Sequence, residues 1–456
     1  MKQLAFMAIT MFLGTGGSFA LSPVYGIAVY YMYAVLRPQF IWDWVELFGL
    51  KLGDVNWSLP VALFTLVATA VWRAGLWTPL AAAKVPWYGN PRFGRSHYLF
   101  LGFTAWISLT YVTAVLPAVA WPFFVEYVKI FVMFVCATLV LRTVRNLWVV
   151  YFVMLGSAVY IAYELNFYYL VYKWMMLQQR GYGGLDNNGA AMILAMAIPL
   201  AFFAWEGTRR WWRWAFLAAI PLLGHAVLLS YSRGAMLSLV PTGLLMWWRC
   251  RNKAFVAVAY ALALIAVVAT TGKEIEERFF SIGAENQNPR WKTWEIAIRM
   301  ANDRPVFGFG IRVSPSFTHE QYGADIPGRA IHSQYLQTAA DSGWPALALY
   351  AGLLASVFFG LWQTRRALRS FTDPDSLQVR SLAAGLECAL AQFCIGAAFL
   401  SLEHFEMPYI VMLLAVQLHA ITRAVTARLQ PSPSGLPALT LPYPYPAAQR
   451  PVAVSS

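Results

Sequence analysis

Apolar runs of about 20 residues recur along the chain, and they constrain its fold more than any other feature. A run of this length forms a helix that spans the hydrocarbon core of a bilayer. The runs begin near Leu4, Leu59, Tyr98, Pro122, Leu147, Asn188, Trp212, Gly234, Ala254, Gly343, Val379 and Pro408. Only 12% of the residues are charged, whereas soluble domains carry about 25%. The sequence therefore predicts an all-α polytopic membrane protein with about 12 transmembrane helices.

The first apolar run, from Leu4 to Leu36, is too long for one simple span. Gly14-Thr15-Gly16-Gly17 and Pro23 interrupt it, so we expect two short helices or one broken helix. The N-terminus also resembles a cleavable signal. We favour an uncleaved span, because apolar sequence resumes at once.

Basic residues between the runs give the orientation. If the runs alternate as helices, five basic clusters fall on one side, which the positive-inside rule makes cytoplasmic. The clusters contain Lys84, Arg92 and Arg95; Arg142 and Arg145; Arg209, Arg210 and Arg213; Arg249, Arg251 and Lys253; and Arg365, Arg366 and Arg369. Topology thus accounts for the net charge of +13. We expect membrane lipids, and no nucleic acid, among the partners.

The same alternation divides the chain into four parts. Residues 1–270 form an N-terminal transmembrane bundle, and residues 271–331 form a large helical loop on the outer side. Residues 332–428 form the C-terminal transmembrane helices, and residues 429–456, with seven prolines, form a disordered cytoplasmic tail. In the loop, helical spacing predicts that Trp291, Trp294, Ile298 and Ala301 share one face.

Three ionisable residues on the outer side stand apart, because the positive-inside bias does not explain them. Arg233 lies in a turn and offers two parallel donors to a phosphate, although lipid headgroups would satisfy it equally. Arg290 begins the loop helix, and its alternative is a solvated charge paired with Glu285 or Glu295. His332 lies where the loop re-enters the membrane. Imidazole is the usual general base near neutral pH, but a helix cap is the simpler interpretation.

Metal chemistry finds little support in the sequence. Asp373-Pro374-Asp375 resembles a metal-binding Asp-x-Asp motif, but it lies among cytoplasmic basic residues and contains a proline, so we interpret it as a loop breaker. The cysteines lack metal-ligand spacing; they are Cys136, Cys250, Cys388 and Cys394. We therefore expect neither a metal site nor a cofactor.

An ordered set of short motifs resembles the O-antigen ligase superfamily, which also contains O-antigen polymerases and protein O-glycosylation ligases. The resemblance covers roughly Asp186 to Trp362. Its motifs are Asp186-Asn187-Asn188; Ser230-Tyr231-Ser232-Arg233-Gly234; Arg290 followed by Trp294 and Ala297; Asp303-Arg304-Pro305 before Gly308-Phe309-Gly310; and the segment from His332 to Gly343.

The resemblance implies a bacterial inner-membrane glycosyltransferase whose active site faces the periplasm. Its donor would be a glycan on undecaprenyl pyrophosphate, and its acceptor the lipid A–core oligosaccharide. The family is thought to act without metal and with inversion of the anomeric centre. By this resemblance Arg233 and Arg290 hold the pyrophosphate, and His332 deprotonates the acceptor. The secondary candidates for the same cavity are Lys173, Arg180, Asp186, Glu403 and His404.

Two alternatives stay open. A polymerase or a protein O-glycosylation ligase would use the same lipid-linked donor, and the Asp-Asn-Asn and Tyr-Ser-Arg-Gly forms resemble the protein-glycosylating subgroup. A transporter of lipid-linked glycans belongs to a different class. Transporters often show internal repeats and broken helices at the membrane midplane. Here the sequence shows no long repeat, and the large folded loop favours chemistry at the membrane surface.

Overall fold

A computed structural model describes residues 2–41, 46–47, 49–51, 53, 55–78, 80, 93–270, 289–401 and 405–429. Most of this part of the chain is helical, and it also contains a small hairpin of Glu46–Leu47 and Leu50–Lys51. The predicted all-α class is confirmed. Most of the predicted tail, residues 271–288 of the loop, Lys84 and Arg92 lie outside the described residues.

The described helices follow the predicted order of apolar runs. They are α1 (Lys2–Gly14), α2 (Gly16–Ala20), α3 (Pro23–Leu36), α4 (Pro38–Ile41), α5 (Ser58–Arg73), α6 (Arg95–Val112), α7 (Pro117–Val140), α8 (Val144–Tyr172), α9 (Met176–Arg180), α10 (Asn187–Gly207), α11 (Arg213–Leu228), α12 (Arg233–Arg249), α13 (Lys253–Thr270), α14 (Pro289–Asp303), α15 (Gln334–Ala367), α16 (Pro374–Ala397) and α17 (Glu406–Leu429). A 3₁₀ turn, Ser314–Phe317, lies between α14 and α15.

Six of the described helices are long and apolar enough to cross a membrane: α7, α8, α10, α15, α16 and most of α17. Shorter apolar helices include α5, α11 and the segment Ala5–Ala20. The chain is therefore a multi-pass membrane protein, while the total of about 12 spans stays a prediction.

The first apolar run is broken, as its glycines and proline predicted. It forms α1, α2 and α3 in succession. The Ser22 hydroxyl accepts a hydrogen bond from the Val24 N–H at 3.3 Å, and Pro23 occupies the first turn of α3. A capping serine followed by proline is a strong helix start, which explains why a new helix begins here.

Helix α10 lies at the centre of the bundle and packs against α8, α11 and α16. Its buried face consists largely of small residues, including Ala190, Ala191, Ala195, Ala197 and Ala201. Small side chains let helix backbones approach closely, and this close packing stabilises helices in lipid, where no hydrophobic gain drives their association. The first residues of α10 are thereby fixed relative to three neighbouring helices.

The described part of the large loop has a small hydrophobic core of its own. Ile296, Met300, Phe309, Val313 and Ile331 are buried there against bundle residues. The face that Trp291, Trp294, Ile298 and Ala301 share is only partly buried, because Trp291 is 70% exposed and Ile298 is 41% exposed. The buried stripe instead contains Thr293, Ile296, Ala297, Met300 and Ala301. Small and β-branched residues fit this tight contact, whereas the bulky indole of Trp291 does not, and indoles are favoured at a membrane interface.

Candidate active site

The start of α10 and the start of α12 are joined by side-chain hydrogen bonds. The Asn187 side-chain amide donates to the Ser230 carbonyl oxygen at 2.9 Å. The Ser232 hydroxyl donates to the Asn188 side-chain oxygen at 2.8 Å. These contacts join two segments more than 40 residues apart in the sequence. They also explain why the two polar motifs interrupt otherwise apolar sequence.

Arg233 is the first residue of α12, and the residues before it fix that helix end. Ser232 caps the helix by accepting the Ala235 N–H at 3.4 Å, and its own N–H donates to the Ser230 hydroxyl at 3.0 Å. Tyr231 adopts a left-handed conformation with φ of 54°, which turns the chain sharply into the helix. The Arg233 side chain is exposed. A cation at a helix N-terminus adds to the positive end of the helix dipole, so this position favours an anion.

Helix α14 brings Arg290 to the same end of the bundle. The Thr293 hydroxyl donates to the Arg290 carbonyl oxygen at 2.8 Å and lies 3.4 Å from the carbonyl oxygen of Ile331, which precedes His332. The Trp294 ring packs on Phe399, with 6.1 Å between the ring centroids. The start of α14 is therefore tied directly to the segment that carries His332.

The turn after α16 connects α14 with α12. A Cβ atom added to Gly234 would lie 3.4 Å from Leu400 and 3.6 Å from Phe399, so the first turn of α12 packs closely on this turn. Phe399 also contacts Trp294 of α14. The helix starts that carry Arg233 and Arg290 thus share one contact surface.

The end of the loop docks into a break in α15. Helical geometry is interrupted at Gly343, with φ of 79°, and a Cβ atom there would lie 2.1 Å from the Val306 carbonyl oxygen. The Trp344 N–H donates to the Pro305 carbonyl oxygen at 2.9 Å. Gly308, with φ of 62°, packs equally closely against the α15 backbone. Only glycine fits these two positions, which accounts for Gly308 in the Gly-Phe-Gly motif and for Gly343 at the end of the segment that begins at His332.

A buried carboxylate completes this docking. The Asp341 side chain accepts the Ser314 N–H at 3.0 Å and the Gln337 amide at 2.8 Å, and Gln337 also donates to the Ser314 hydroxyl at 2.9 Å. Asp341 is 3% exposed, so these bonds compensate for the cost of burying it. Sequence reasoning did not single out Asp341, although an acidic residue in an apolar run is itself a signal.

His332 occupies the junction between the loop and α15. Its φ of 56° is left-handed, which is uncommon for a residue with a side chain. Ile331 before it is fully buried, and Ser333 after it caps α15 by accepting the Leu336 N–H at 3.5 Å. Fixed neighbours on both sides hold the half-buried imidazole in one place.

The candidate residues act on one another electrostatically. Burial lowers the pKa of Arg290, and the nearby charge of Arg233 lowers it further. Burial also lowers the pKa of His332; Arg290 and Arg329 lower it further, whereas Asp186 raises it. These influences place Arg290 near both Arg233 and His332, and they place Arg329 and Asp186 near His332. Arg329 was not recognised from the sequence, because it lies in the loop without a motif.

This arrangement has two chemical consequences. The lowered pKa of His332 leaves the imidazole neutral at neutral pH, and only the neutral ring accepts a proton. The mutual repulsion of Arg233 and Arg290 is relieved when an anion binds between them. A group that can accept a proton and two cations that can bind an anion therefore occur at the same end of the bundle.

The secondary candidates take different places. Asp186 caps α10 by accepting the Gly189 N–H at 2.8 Å, and it faces His332 electrostatically. Lys173 ends α8, where its ammonium group lies 5.8 Å from the ring centre of Tyr169, a residue of its own helix. Arg180 is exposed at the end of α9. The remaining two, Glu403 and His404, lie outside the described residues.

The rejected metal motif has a structural role. Asp373 caps α16, and its carboxylate accepts the Ser376 N–H at 2.9 Å. Hydrogen bonds to Ser376 lower the pKa of Asp373. Among the described residues, no group of three or more His, Cys, Asp or Glu side chains is arranged to hold a metal ion.

Comparison with known proteins identifies one family. Residues 218–351 match a family described as O-Antigen ligase. The matched segment includes Arg233, Arg290 and His332 and the docked loop, and it begins after Asp186. No curated protein sequence matches the chain.

Proposed function

We propose that this chain, whose residues 218–351 match the O-antigen ligase family, is a bacterial inner-membrane glycosyltransferase that moves O-antigen polysaccharide from undecaprenyl pyrophosphate to the lipid A–core oligosaccharide. The site would face the periplasm, and the reaction would need no metal. The observation that carries this proposal is the electrostatic grouping of two arginines with a neutral histidine at one end of the bundle.

In the proposed reaction the acceptor hydroxyl attacks the anomeric carbon from the face opposite the pyrophosphate. A bond forms between the acceptor oxygen and the anomeric carbon, and the bond from that carbon to the phosphate oxygen breaks. The bonding electrons leave with the pyrophosphate, and the hydroxyl proton passes to His332. Attack from the opposite face inverts the anomeric centre.

Arg233 and Arg290 stabilise the leaving group. Negative charge develops on the bridging phosphate oxygen as the glycosidic bond breaks, and guanidinium groups oriented in advance stabilise this charge. Because Arg290 is half-buried, its interaction with the developing charge is screened less by water. The arginines thus take the part that a divalent cation plays in other glycosyl transfers.

The grip on the pyrophosphate is tested by replacing Arg233 with alanine. We expect Arg233→Ala to abolish transfer from a lipid-linked donor while the protein still inserts into the membrane. Arg210→Ala is the matched control, because Arg210 is also exposed but lies in the α10–α11 connection at the other end of the bundle. Wild-type transfer by Arg233→Ala would remove Arg233 from the mechanism.

The acceptor is tested by deleting the gene and separating lipopolysaccharide on a gel. A ligase predicts loss of all long bands with an unaltered core. A polymerase predicts a single repeat unit on the core, and a protein O-glycosylation ligase predicts unaltered lipopolysaccharide with loss of glycoprotein. Transport of labelled lipid by proteoliposomes without glycan transfer would instead support a transporter.

A further inference from the structure

A second polar region lies at the end of the bundle opposite Arg233 and His332. Helix α12 begins at Arg233 and runs to this opposite end of the bundle, where it ends at Arg249. Helix α15 begins next to His332 and reaches the same opposite end. A cavity of about 610 Å³ opens between the ends of α12, α15 and α16. Its arginines are Arg249, Arg251, Arg365, Arg366, Arg369 and Arg380.

Two buried glutamates neutralise only part of this charge. Glu387 accepts two hydrogen bonds from Arg249, at 2.8 and 2.9 Å, and also pairs with Arg365. Glu206 accepts the Arg251 N–H at 2.7 Å and pairs with its guanidinium group. Both glutamate side chains are 8% exposed. Six arginines line the cavity, and the two glutamates are Glu206, which also lines it, and Glu387, which pairs with two of the arginines, so four net positive charges remain.

Three arginines carry the uncompensated charge. Within the ranges that the structure describes, Arg366, Arg369 and Arg380 have no carboxylate partner. Arg366 lies 5.2 Å from the ring centre of Trp362. Like charges that converge on one cavity repel one another, so a bound anion stabilises the arrangement.

The positive-inside rule alone does not produce such a cavity. It requires only that basic residues lie in the loops of one side. Arg209 and Arg210 satisfy it: they are exposed at this end of the bundle and do not line the cavity. The cavity arginines instead come from three helices and the connections that follow two of them. Those that lie in helices are Arg249, Arg365, Arg366 and Arg380, and two of these pair with the buried Glu387. Helical arginines that converge on a cavity around a buried carboxylate are the construction of a binding site.

Two tryptophans place the cavity at the level of lipid headgroups. Trp248 and Trp362 line it and remain 65% and 42% exposed. Indole rings are favoured at the boundary between hydrocarbon and water. A ligand in this cavity therefore lies where the phosphates of a lipid leaflet lie.

We propose that this cavity binds a phosphate-bearing anion, with an anionic phospholipid headgroup as its source, in the leaflet opposite the candidate active site. Paired guanidinium groups recognise phosphate through parallel N–H donors. The site does not depend on the proposed transfer reaction, and it would hold the ends of α12, α15 and α16 together at the far side of the membrane.

The test uses the full-length protein in detergent, titrated with phosphatidylglycerol and separately with phosphatidylcholine, with bound lipid counted by native mass spectrometry. The double variant Arg366→Gln/Arg369→Gln should bind phosphatidylglycerol about 30-fold more weakly, since each basic residue near an anionic surface contributes on the order of a factor of five. Arg209→Gln/Arg210→Gln, which removes the same charge from the same side, should bind within about threefold of wild type. Phosphatidylcholine should bind weakly to all three proteins.

A second arm distinguishes the source of the phosphate. If inorganic phosphate raises the melting temperature of wild type but not of the cavity variant, and phosphatidylglycerol has no specific effect, the anion site stands and its ligand is soluble. Equal losses in the cavity and control variants would overturn the proposal, because they would show only general surface attraction. Wild-type binding by the cavity variant would overturn it as well. Arg366→Lys/Arg369→Lys keeps the charge and should retain most of the binding.

Discussion

Removing the Ser232 hydroxyl tests whether the start of α12 must be fixed for Arg233 to act. The hydroxyl is almost fully buried, donates to Asn188 at 2.8 Å and accepts the Ala235 N–H at 3.4 Å. Loss of a helix cap costs about 1 kcal/mol. Leaving the Asn188 oxygen without this donor costs about 1 kcal/mol more.

If this loss of about 2 kcal/mol appears fully in the transition state, Ser232→Ala lowers kcat/KM about 30-fold. The assay measures glycan transfer in vesicles that contain the lipid-linked donor, with the melting temperature recorded for each variant. Ser356→Ala is the control. Its hydroxyl also donates a hydrogen bond to another side chain, the Ser96 hydroxyl at 2.9 Å, but at the opposite end of the bundle, so kcat/KM should not change.

A double-mutant cycle isolates the contact itself. Asn188→Ala removes the acceptor of the same hydrogen bond, so the effects of Ser232→Ala and Asn188→Ala should not add, with a coupling of about 1 kcal/mol. Activity of Ser232→Ala within twofold of wild type would refute the reasoning. Strictly additive effects would show that the contact between α10 and α12 does not position Arg233.

Three other perturbations test separate parts of the site. The neutral form of His332 is lost as the pH falls through its lowered pKa. Arg329→Gln raises that pKa and should move the acid limb of kcat/KM to higher pH, whereas Asp186→Asn lowers it and should move the limb to lower pH. An unchanged acid limb in both variants would contradict a general base at this position. Gly343→Ala should release the loop and abolish transfer, seen as faster proteolysis of the loop, whereas Gly352→Ala in the same helix meets only an ordinary 3.8 Å contact and should be silent. Transfer should persist in EDTA, and strict dependence on added Mg²⁺ would argue against stabilisation of the pyrophosphate by Arg233 and Arg290 alone.

The sequence predicted the helices well where one physical effect dominates. Long apolar runs can only be helices in lipid, and breakers such as Pro23 end or begin them. The total number of spans is harder to predict, because α12 contains Arg233, one serine and a proline that reduce its hydropathy although it runs beside long apolar helices. Ser238 of this helix is fully buried against α16, where the Gln392 amide donates to its hydroxyl at 2.7 Å, and hydropathy does not register such a contact.

In the candidate site, too, the sequence predicted some features and not others. Arg233, Arg290 and His332 were selected by residue type, by position relative to the membrane and by resemblance. The contacts that orient them were not predictable, because they join distant segments: Ser232 with Asn188, and Thr293 with the residue before His332.

The buried face of α14 was not predictable from the sequence for a related reason. Periodicity identifies which residues share a face but not which solvent that face meets. Trp291 shares a face with Trp294, Ile298 and Ala301, but its side chain is largely exposed. An amphipathic helix next to a membrane has two apolar environments, the protein core and the lipid boundary, and spacing alone does not separate them.

The most direct test of the account separates donor binding from chemistry. The binding of a lipid-pyrophosphate donor and its transfer at saturating donor are measured in parallel for wild type, His332→Ala and Arg233→Ala. We predict that His332→Ala binds the donor normally but transfers about 10²–10⁴-fold more slowly, as expected for loss of a general base. Arg233→Ala should lose donor binding. Wild-type transfer by His332→Ala in folded, membrane-inserted protein would contradict the central claim.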